Sequence, residues 1–81
     1  MNTLLTNNDI ETVIYHAEKW MEEAGYGWTL EKRVIDMIGT KINTPQDAYD
    51  LNDFEDQDLQ EITICERDAI DWGFYKLGKG F

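Results

Sequence analysis

Several residue types are absent from this chain or nearly so. It contains no serine, one histidine, one cysteine and one proline among 81 residues. The lack of serine excludes every serine-based catalytic triad, and a single cysteine, Cys65, cannot form an internal disulfide. Basic residues are also scarce, with seven Lys and Arg against seventeen Asp and Glu, for a net charge of −10. These scarcities leave little from which to build a catalytic centre, so we expect a protein that is not an enzyme.

Long apolar runs are missing as well. No stretch approaches the ~20 residues that a membrane helix requires. The opening residues MNTLLTNNDIE lack the basic segment and apolar run of a secretory signal. We therefore expect no membrane partner and a cytoplasmic location, in the host cytoplasm if the protein is phage-encoded. The strong negative charge repels nucleic acid, so direct nucleic-acid binding is not expected either.

The residues that are present suffice for one small globule. Hydrophobic residues make up 42% of the chain, with three Trp, four Tyr and three Phe, which sets it apart from disordered acidic proteins. Residues 1–81 are therefore predicted to form a single acidic globular domain with a small core.

Apolar residues recur at steps of three and four along most of the chain, which predicts helices. The predicted helices are 9–24, 30–39, 45–51 and 57–75. The predicted caps are Asn8 or Asp9, Thr29 and Thr44, and the predicted stops are Gly25 and Gly39. Pro45 suits the first turn of the third helix because its missing N–H has no partner there in any case.

The last quarter of the chain is ambiguous. The stretch EITIC at 61–65 alternates like a strand, and GFYKLG at 73–78 could pair with it in a hairpin. We favour a helix because neither Gly nor Pro interrupts the run before Gly73. The predicted fold class is therefore mainly α, a small bundle of three to four helices. The alternative is an α+β arrangement with a short C-terminal hairpin. The predicted inward positions are Leu59, Ile62, Cys65 or Glu66, Ala69, Trp72 and Leu77.

Candidate catalytic residues are few. His16 falls at the edge of the first apolar stripe and has no second ligand at a suitable spacing, so we interpret it as a boundary residue. Cys65 has acidic neighbours that disfavour a thiolate, so we interpret it as a core cysteine. No glycine-rich phosphate loop is present, and no cofactor is predicted.

The acidic stretch does not match a calcium loop. Counted from Asp50 as the first position, several later residues fall at ligand positions. Phe54 and Glu55, however, occupy the places that need an oxygen ligand and a glycine. We therefore predict no specific metal site.

The acids are concentrated in one part of the chain. Residues 44–72 hold ten acids and one base, Arg67, for a net charge of −9, whereas the rest of the chain carries −1. Clustered like charges destabilise a fold, and solubility needs a net charge of only about 2–8 on a small domain. The excess favours a surface for a basic partner, with a merely solvated acidic face as the plain alternative.

Helical spacing would place these acids on one exposed side. In a helix over 57–72, Asp58 with Glu61 and Asp68 with Asp71 form i, i+3 pairs whose carboxylates lie roughly 5–7 Å apart. That spacing is comparable to the separation of phosphates along DNA. We therefore predict a stoichiometric inhibitor that occupies the positively charged nucleic-acid-binding groove of a nuclease or another DNA/RNA-processing protein.

Aromatic residues among the acids supply candidate anchors. Tyr49 could stack on a partner arginine, and Tyr75 and Trp28 are further candidates for the surface. The predicted partner-binding residues are Tyr49, Asp50, Asp53, Glu55, Asp56, Asp58 and Glu61. The remaining large aromatics are assigned mainly to the core, namely Trp20, Phe54 and Trp72.

In size, acidity and lack of catalytic or cofactor motifs, the chain resembles the broad group of phage-encoded inhibitors, which includes DNA mimics that block CRISPR or restriction nucleases. The resemblance is one of type and transfers no residues. The alternative from another class is a structural or regulatory accessory protein that forms a homodimer through Tyr26, Trp28 and the second helix.

Overall fold

The computed structural model describes residues 5–27, 29–52 and 61–78. Within these residues the chain forms four α-helices, α1 (Asn7–Glu23), α2 (Lys32–Met37), α3 (Pro45–Asn52) and α4 (Ile64–Leu77). The predicted mainly α class is confirmed. The alternative C-terminal hairpin is wrong for 64–77, because these residues are helical.

Polar side chains begin three of the helices. Thr6 caps α1 and Thr63 caps α4, each in a reciprocal capping box with the acid three residues later. At α3, Thr44 Oγ1 accepts from the Asp47 N–H at 3.3 Å while Asp47 Oδ2 accepts from the Thr44 N–H at 3.1 Å. Such reciprocal bonds satisfy N–H groups that a helix start leaves without partners.

Two of the three predicted caps were wrong, and the helix predicted to start at 57 starts at Ile64. Helix α1 is capped by Thr6 instead of Asn8 or Asp9. Helix α2 starts after Glu31, whose side chain makes no capping bond, so Thr29 is not its cap. Helix α2 has no side-chain cap and is six residues long.

Helix α4 packs mainly on α1 and, to a lesser extent, on α3. The approach to α1 is close at Gly73, where a Cβ would lie 2.5 Å from the Val13 carbonyl oxygen. Ala17 and Ala69 are fully buried in the same core. The absence of a side chain at Gly73 therefore lets the two backbones approach.

The predicted inward positions Ile62, Glu66 and Ala69 are buried and Leu77 packs against the core, but the prediction is wrong for Trp72. Ile70 and Phe74 are fully buried, whereas Trp72 is half-buried and does not belong to the core cluster. Trp20 is half-buried and packs against the core, while Phe54 lies outside the described residues. The buried hydrophobic residues are Leu5, Val13, Ala17, Met21, Leu30, Val34, Met37, Ile38, Ile42, Ala48, Ile62, Ala69, Ile70 and Phe74.

The chain turns tightly after α2. The Gly39 N–H donates to the Ile42 carbonyl at 2.8 Å, and the Ile42 N–H donates to the Met37 carbonyl at 2.8 Å. Gly39 has φ +94°, a left-handed backbone conformation that favours glycine. The second helix therefore ends at Met37 instead of Gly39.

None of the helices in the described part of the chain combines the length and the apolar character needed to cross a membrane.

Candidate partner-binding surface

Arg67 lies between α3 and α4, and all of its contacts are within the fold. Its guanidinium carbon is 4.7 Å from the centroid of the Tyr49 ring. Its Nη1 donates to Asn52 Oδ1 at 3.0 Å, and its Nε and Nη2 donate to Asp68 Oδ1 at 3.1 and 3.0 Å. The only base in 44–72 therefore joins α3 to α4.

The same region holds together the two ends of the most acidic segment, residues 53–60. The Glu61 N–H donates to the Leu51 carbonyl at 3.1 Å. Asn52, which is 5% exposed, donates from Nδ2 to the Ile62 carbonyl at 3.1 Å. The described residues on either side of this segment are thus fixed to each other and to α4.

Three of the seven predicted contact residues lie in the described part of the chain. Tyr49 and Asp50 are exposed on α3, and Asp50 Oδ1 accepts from Gln46 Nε2 at 3.0 Å. Glu61 is half-buried, and its carboxylate accepts from Lys41 Nζ at 3.2 Å. The predicted contacts Asp53, Glu55, Asp56 and Asp58 lie outside the described residues.

The predicted i, i+3 pairs are altered by where α4 begins. Because α4 starts at Ile64, Glu61 precedes the helix and cannot pair with Asp58 along it. Arg33 also donates to the Glu61 carbonyl oxygen, which fixes this residue beside two bases. Asp68 and Asp71 do share α4, but Asp68 is bound to Arg67.

Two further acids of 44–72 are capping residues. Glu66 is 2% exposed and accepts from the Thr63 N–H at 2.9 Å. Asp47 accepts from the N–H groups of Asn43 and Thr44 at 2.8 and 3.1 Å. The expectation that the acids crowd together on one exposed side is therefore wrong for Glu66, which is buried, while caps and ion pairs hold Asp47, Glu61 and Asp68.

A cleft of about 400 Å³ remains between α3 and α4. It is lined by Thr44, Pro45, Gln46, Tyr49 and Asp71. Asp71 is half-buried and forms no ion pair with a base in the described part of the chain. The sequence prediction did not include Asp71 among the site residues. Its spacing from Asp68 and Tyr75 would have placed all three on one face of a helix.

Aromatic residues extend this face along α4. Tyr75 is 64% exposed, and its ring stacks on Trp72 with the centroids 5.3 Å apart. Lys76 Nζ lies 4.8 Å from the centroid of the Trp72 ring. Trp72 was expected in the core, but this stack on the outer side of α4 holds its ring instead. We refer to Gln46, Tyr49, Asp50, Asp71 and Tyr75 as the α3–α4 face.

A second acidic region lies on α1. Residues 7–23 contain five acids and one base, Lys19, for a net charge of −4. Glu11, Glu22 and Glu23 are all exposed. Negative charge is therefore not confined to the late chain, and α1 provides a matched comparison for the α3–α4 face.

His16 and Cys65, the candidate catalytic residues, both make packing contacts or hydrogen bonds within the fold. His16 is half-buried, with its ring 5.1 Å from that of Tyr15 in an edge contact. Cys65 is half-buried, so it lies at the margin of the core. A hydrogen bond with Cys65, the charge of its thiolate, burial and, least, Asp68 raise the pKa of Tyr26 above its usual 10.0.

No group of three or more His, Cys, Asp or Glu residues in 5–27, 29–52 and 61–78 is arranged to hold a metal ion. In the calcium-loop alignment, the third position is Asn52, whose side-chain oxygen accepts from Arg67. The positive charge of this guanidinium disfavours a second cation at the same oxygen.

No family model, curated protein or solved structure matches this chain. Its function is therefore argued from its own residues.

Proposed function

We propose that this protein is a small acidic binding protein and a stoichiometric inhibitor. It docks the α3–α4 face and segment 53–60 into the positively charged nucleic-acid-binding groove of a nuclease or another DNA/RNA-processing protein. The observation that supports this most is the position of Arg67. Because this base is engaged by Tyr49, Asn52 and Asp68, it does not neutralise Asp50 or Asp71 on the outer side.

The charge balance supports the same proposal. Residues 44–72 carry −9 even after Arg67 is counted, which exceeds what solubility requires. Uncompensated carboxylates accelerate association with a basic surface and disfavour acidic competitors. A rigid face also avoids part of the ordering cost that a disordered acidic tail would bear on binding.

The proposed contact set combines the face with the acidic segment. Tyr49, Asp50 and Asp71 belong to the face, and Asp53, Glu55, Asp56 and Asp58 come from the sequence alone. Glu61 lies at the edge of the set, with its charge partly balanced by Lys41. The protein acts by occupancy without turnover, in the cytoplasm where such a target works.

Two charge-reversal variants test this proposal. The first carries Asp53→Lys, Asp56→Lys and Asp58→Lys. The matched control carries Glu11→Lys, Glu22→Lys and Glu23→Lys on α1, which changes the net charge by the same amount. Immobilised parent and variants are used to capture nucleic-acid-binding proteins from a lysate. Each captured protein is then challenged with a double-stranded DNA or RNA oligonucleotide.

We expect at least one captured partner that binds both the parent and the α1 variant but does not bind the first variant. The oligonucleotide should displace this partner from the parent. Retention should weaken steeply as salt is raised. Equal loss from both variants would mean general charge attraction, and equal retention would mean that segment 53–58 is not the contact. Either result would contradict the proposal. Sedimentation at low and high salt tests the homodimer alternative, because an apolar dimer persists at high salt.

A further inference from the structure

We infer that the cleft between α3 and α4 accepts one arginine side chain of the basic partner. Its guanidinium pairs with the Asp71 carboxylate and lies against the Tyr49 ring. This inference rests on the proposed function and deepens it by naming the group that the face recognises.

The lining of the cleft matches a planar cation. Its volume of about 400 Å³ is within the roughly 300–1,000 Å³ range of small-ligand sites. It presents one carboxylate, one amide and one aromatic ring, from Asp71, Gln46 and Tyr49, beside the apolar ring of Pro45. Guanidinium groups pair with carboxylates through two parallel hydrogen bonds and stack on aromatic rings, which an ammonium group cannot do equally well.

Asp71 is available for such a partner. Arg67 donates instead to Asp68, and Lys76 lies over Trp72. Half burial places the Asp71 carboxylate in a region of lower effective dielectric constant than water, which strengthens its attraction to a cation. An incoming arginine would therefore meet a carboxylate that the described bases leave uncompensated.

Tyr49 is already held in position for stacking. Arg67 lies over its ring at 4.7 Å, yet Arg67 does not line the cleft. The charge of Arg67 is matched by Asp68, so its repulsion of a second cation is reduced. A ring fixed in this way loses little side-chain entropy when a ligand arrives.

An anion is a poor occupant of the same cleft. Pro45 has no N–H to donate, and the Asp47 N–H already donates to Thr44. The Asp71 carboxylate would repel a negative ligand directly. These features assign the cleft to a cation even though it adjoins the N-terminus of α3.

A larger cavity of about 650 Å³ on α1 fits a cation less well. Its lining includes Lys19 beside Glu18 and Glu22, so it already contains a positive group. The α3–α4 cleft has no base among its described lining residues.

Titration of the isotope-labelled full chain with small cations tests the inference by NMR. The probes are methylguanidinium, N-acetyl-arginine amide and methylammonium. We expect saturable shifts of the Gln46, Tyr49 and Asp71 amides with the two guanidinium probes. Asp71→Asn should weaken their binding by about tenfold, the factor of one charge-assisted hydrogen bond of modest strength. Glu11→Gln on α1, the matched control, should change it by less than about twofold, as expected for an exposed charge that does not line the cleft.

Tyr49→Leu supplies a second readout, because removing the ring should reduce the preference for methylguanidinium over methylammonium to the part that the Asp71 carboxylate provides. Amide dispersion confirms that each variant is folded. Shifts spread equally over the α1 acids, or binding unchanged in Asp71→Asn, would overturn the inference. The proposed function can fail separately from this inference. In that case the cleft still binds guanidinium in the NMR titration, but the variant with Asp53, Asp56 and Asp58 changed to Lys captures the partner as well as the parent does.

Discussion

At the scale of single residues, Gly73 decides how closely α1 and α4 approach. A Cβ at this position would lie 2.5 Å from the Val13 carbonyl oxygen and 2.9 Å from its Cγ1. Backbone oxygen cannot move aside as the end of a flexible side chain can. The glycine therefore serves packing, although glycine normally weakens a helix interior.

Gly73→Ala should lower the free energy of unfolding by about 1–3 kcal/mol, the usual cost of overpacking a well-filled core. At an unconstrained helix position the same change stabilises by roughly 0.5–1 kcal/mol, so the sign of the effect is informative. Urea denaturation followed by circular dichroism measures it. A more stable Gly73→Ala protein would mean that the two helices separate without loss.

The pKa of Tyr26 depends mainly on its contact with Cys65. The hydrogen bond with Cys65, then its thiolate charge and burial, raise the pKa of this phenol above 10.0. A folded-state pKa above the unfolded value stabilises the fold below the unfolded pKa. That stability is lost as pH rises through the folded pKa. The stability that Tyr26 contributes is therefore lost only above pH 10.0, in alkaline solution.

Cys65→Ala should lower the pKa of Tyr26 towards 10.0, because the hydrogen bond and the thiolate charge are both removed. The phenolate absorbance of the variant, compared with that of Cys65→Ala/Tyr26→Phe, isolates this one tyrosine among the four in the chain. An unchanged Tyr26 titration would contradict the role of Cys65, because only burial and the charge of Asp68 remain in the variant.

At the scale of elements, capping explains why α4 starts at Ile64. Thr63 Oγ1 accepts from the Glu66 N–H at 3.1 Å, and Glu66 Oε1 accepts from the Thr63 N–H at 2.9 Å. This reciprocal pair sets the helix start and carries Glu66 into the interior.

Thr63→Ala should destabilise the protein by about 0.5–2 kcal/mol, the range for loss of an N-cap. Thr29→Ala is the matched control, because Thr29 does not cap α2, and exposed substitutions of this kind change stability by less than about 0.5 kcal/mol. Thermal unfolding of both variants gives the comparison. Equal effects at the two positions would contradict the role assigned to the Thr63 cap.

At the scale of the whole molecule, the net charge of −10 opposes the compact state. Four ion pairs join described residues, namely Lys32–Asp36, Arg33–Glu31, Lys41–Glu61 and Arg67–Asp68. Most of these pairs are exposed and contribute little, typically about 0–1 kcal/mol each. Repulsion among the remaining carboxylates should therefore dominate the response to salt.

Raising the salt concentration should increase the Tm of the parent, because added ions screen repulsion between carboxylates. The variant with Glu11, Glu22 and Glu23 changed to Lys should respond less. Each reversal adds two charges, so its net charge is −4 in place of −10. Calorimetric scans at low and high salt test both. A Tm that falls with salt would show that the ion pairs outweigh the repulsion.

The accuracy of the predicted helix bounds depended on whether Gly or Pro marked an end of the helix. Helices α1 and α3 were located to within a few residues, because Gly25 follows the first and Pro45 begins the third. For α4 the long run without Gly or Pro hid the start. The Thr63–Glu66 spacing of a capping box was the available signal for that start.

The candidate site was predicted only in part for a different reason. Tyr49 and Asp50 were identified because composition marks the acidic stretch. Asp71 was missed because it becomes part of the site only when α4 packs beside α3. Likewise, nothing in the order of residues indicated that Arg67 would turn inward, since that depends on Asn52 and Tyr49 lying opposite it.

The sequence by itself determined the helical class, the approximate places of α1 and α3 and the excess of negative charge, because periodicity, helix signals and composition are properties of neighbouring residues. Only the tertiary structure decided which carboxylates pair with distant bases and which line the cleft. Those outcomes depend on contacts between residues far apart in the chain, and local patterns do not encode the distance between α3 and α4.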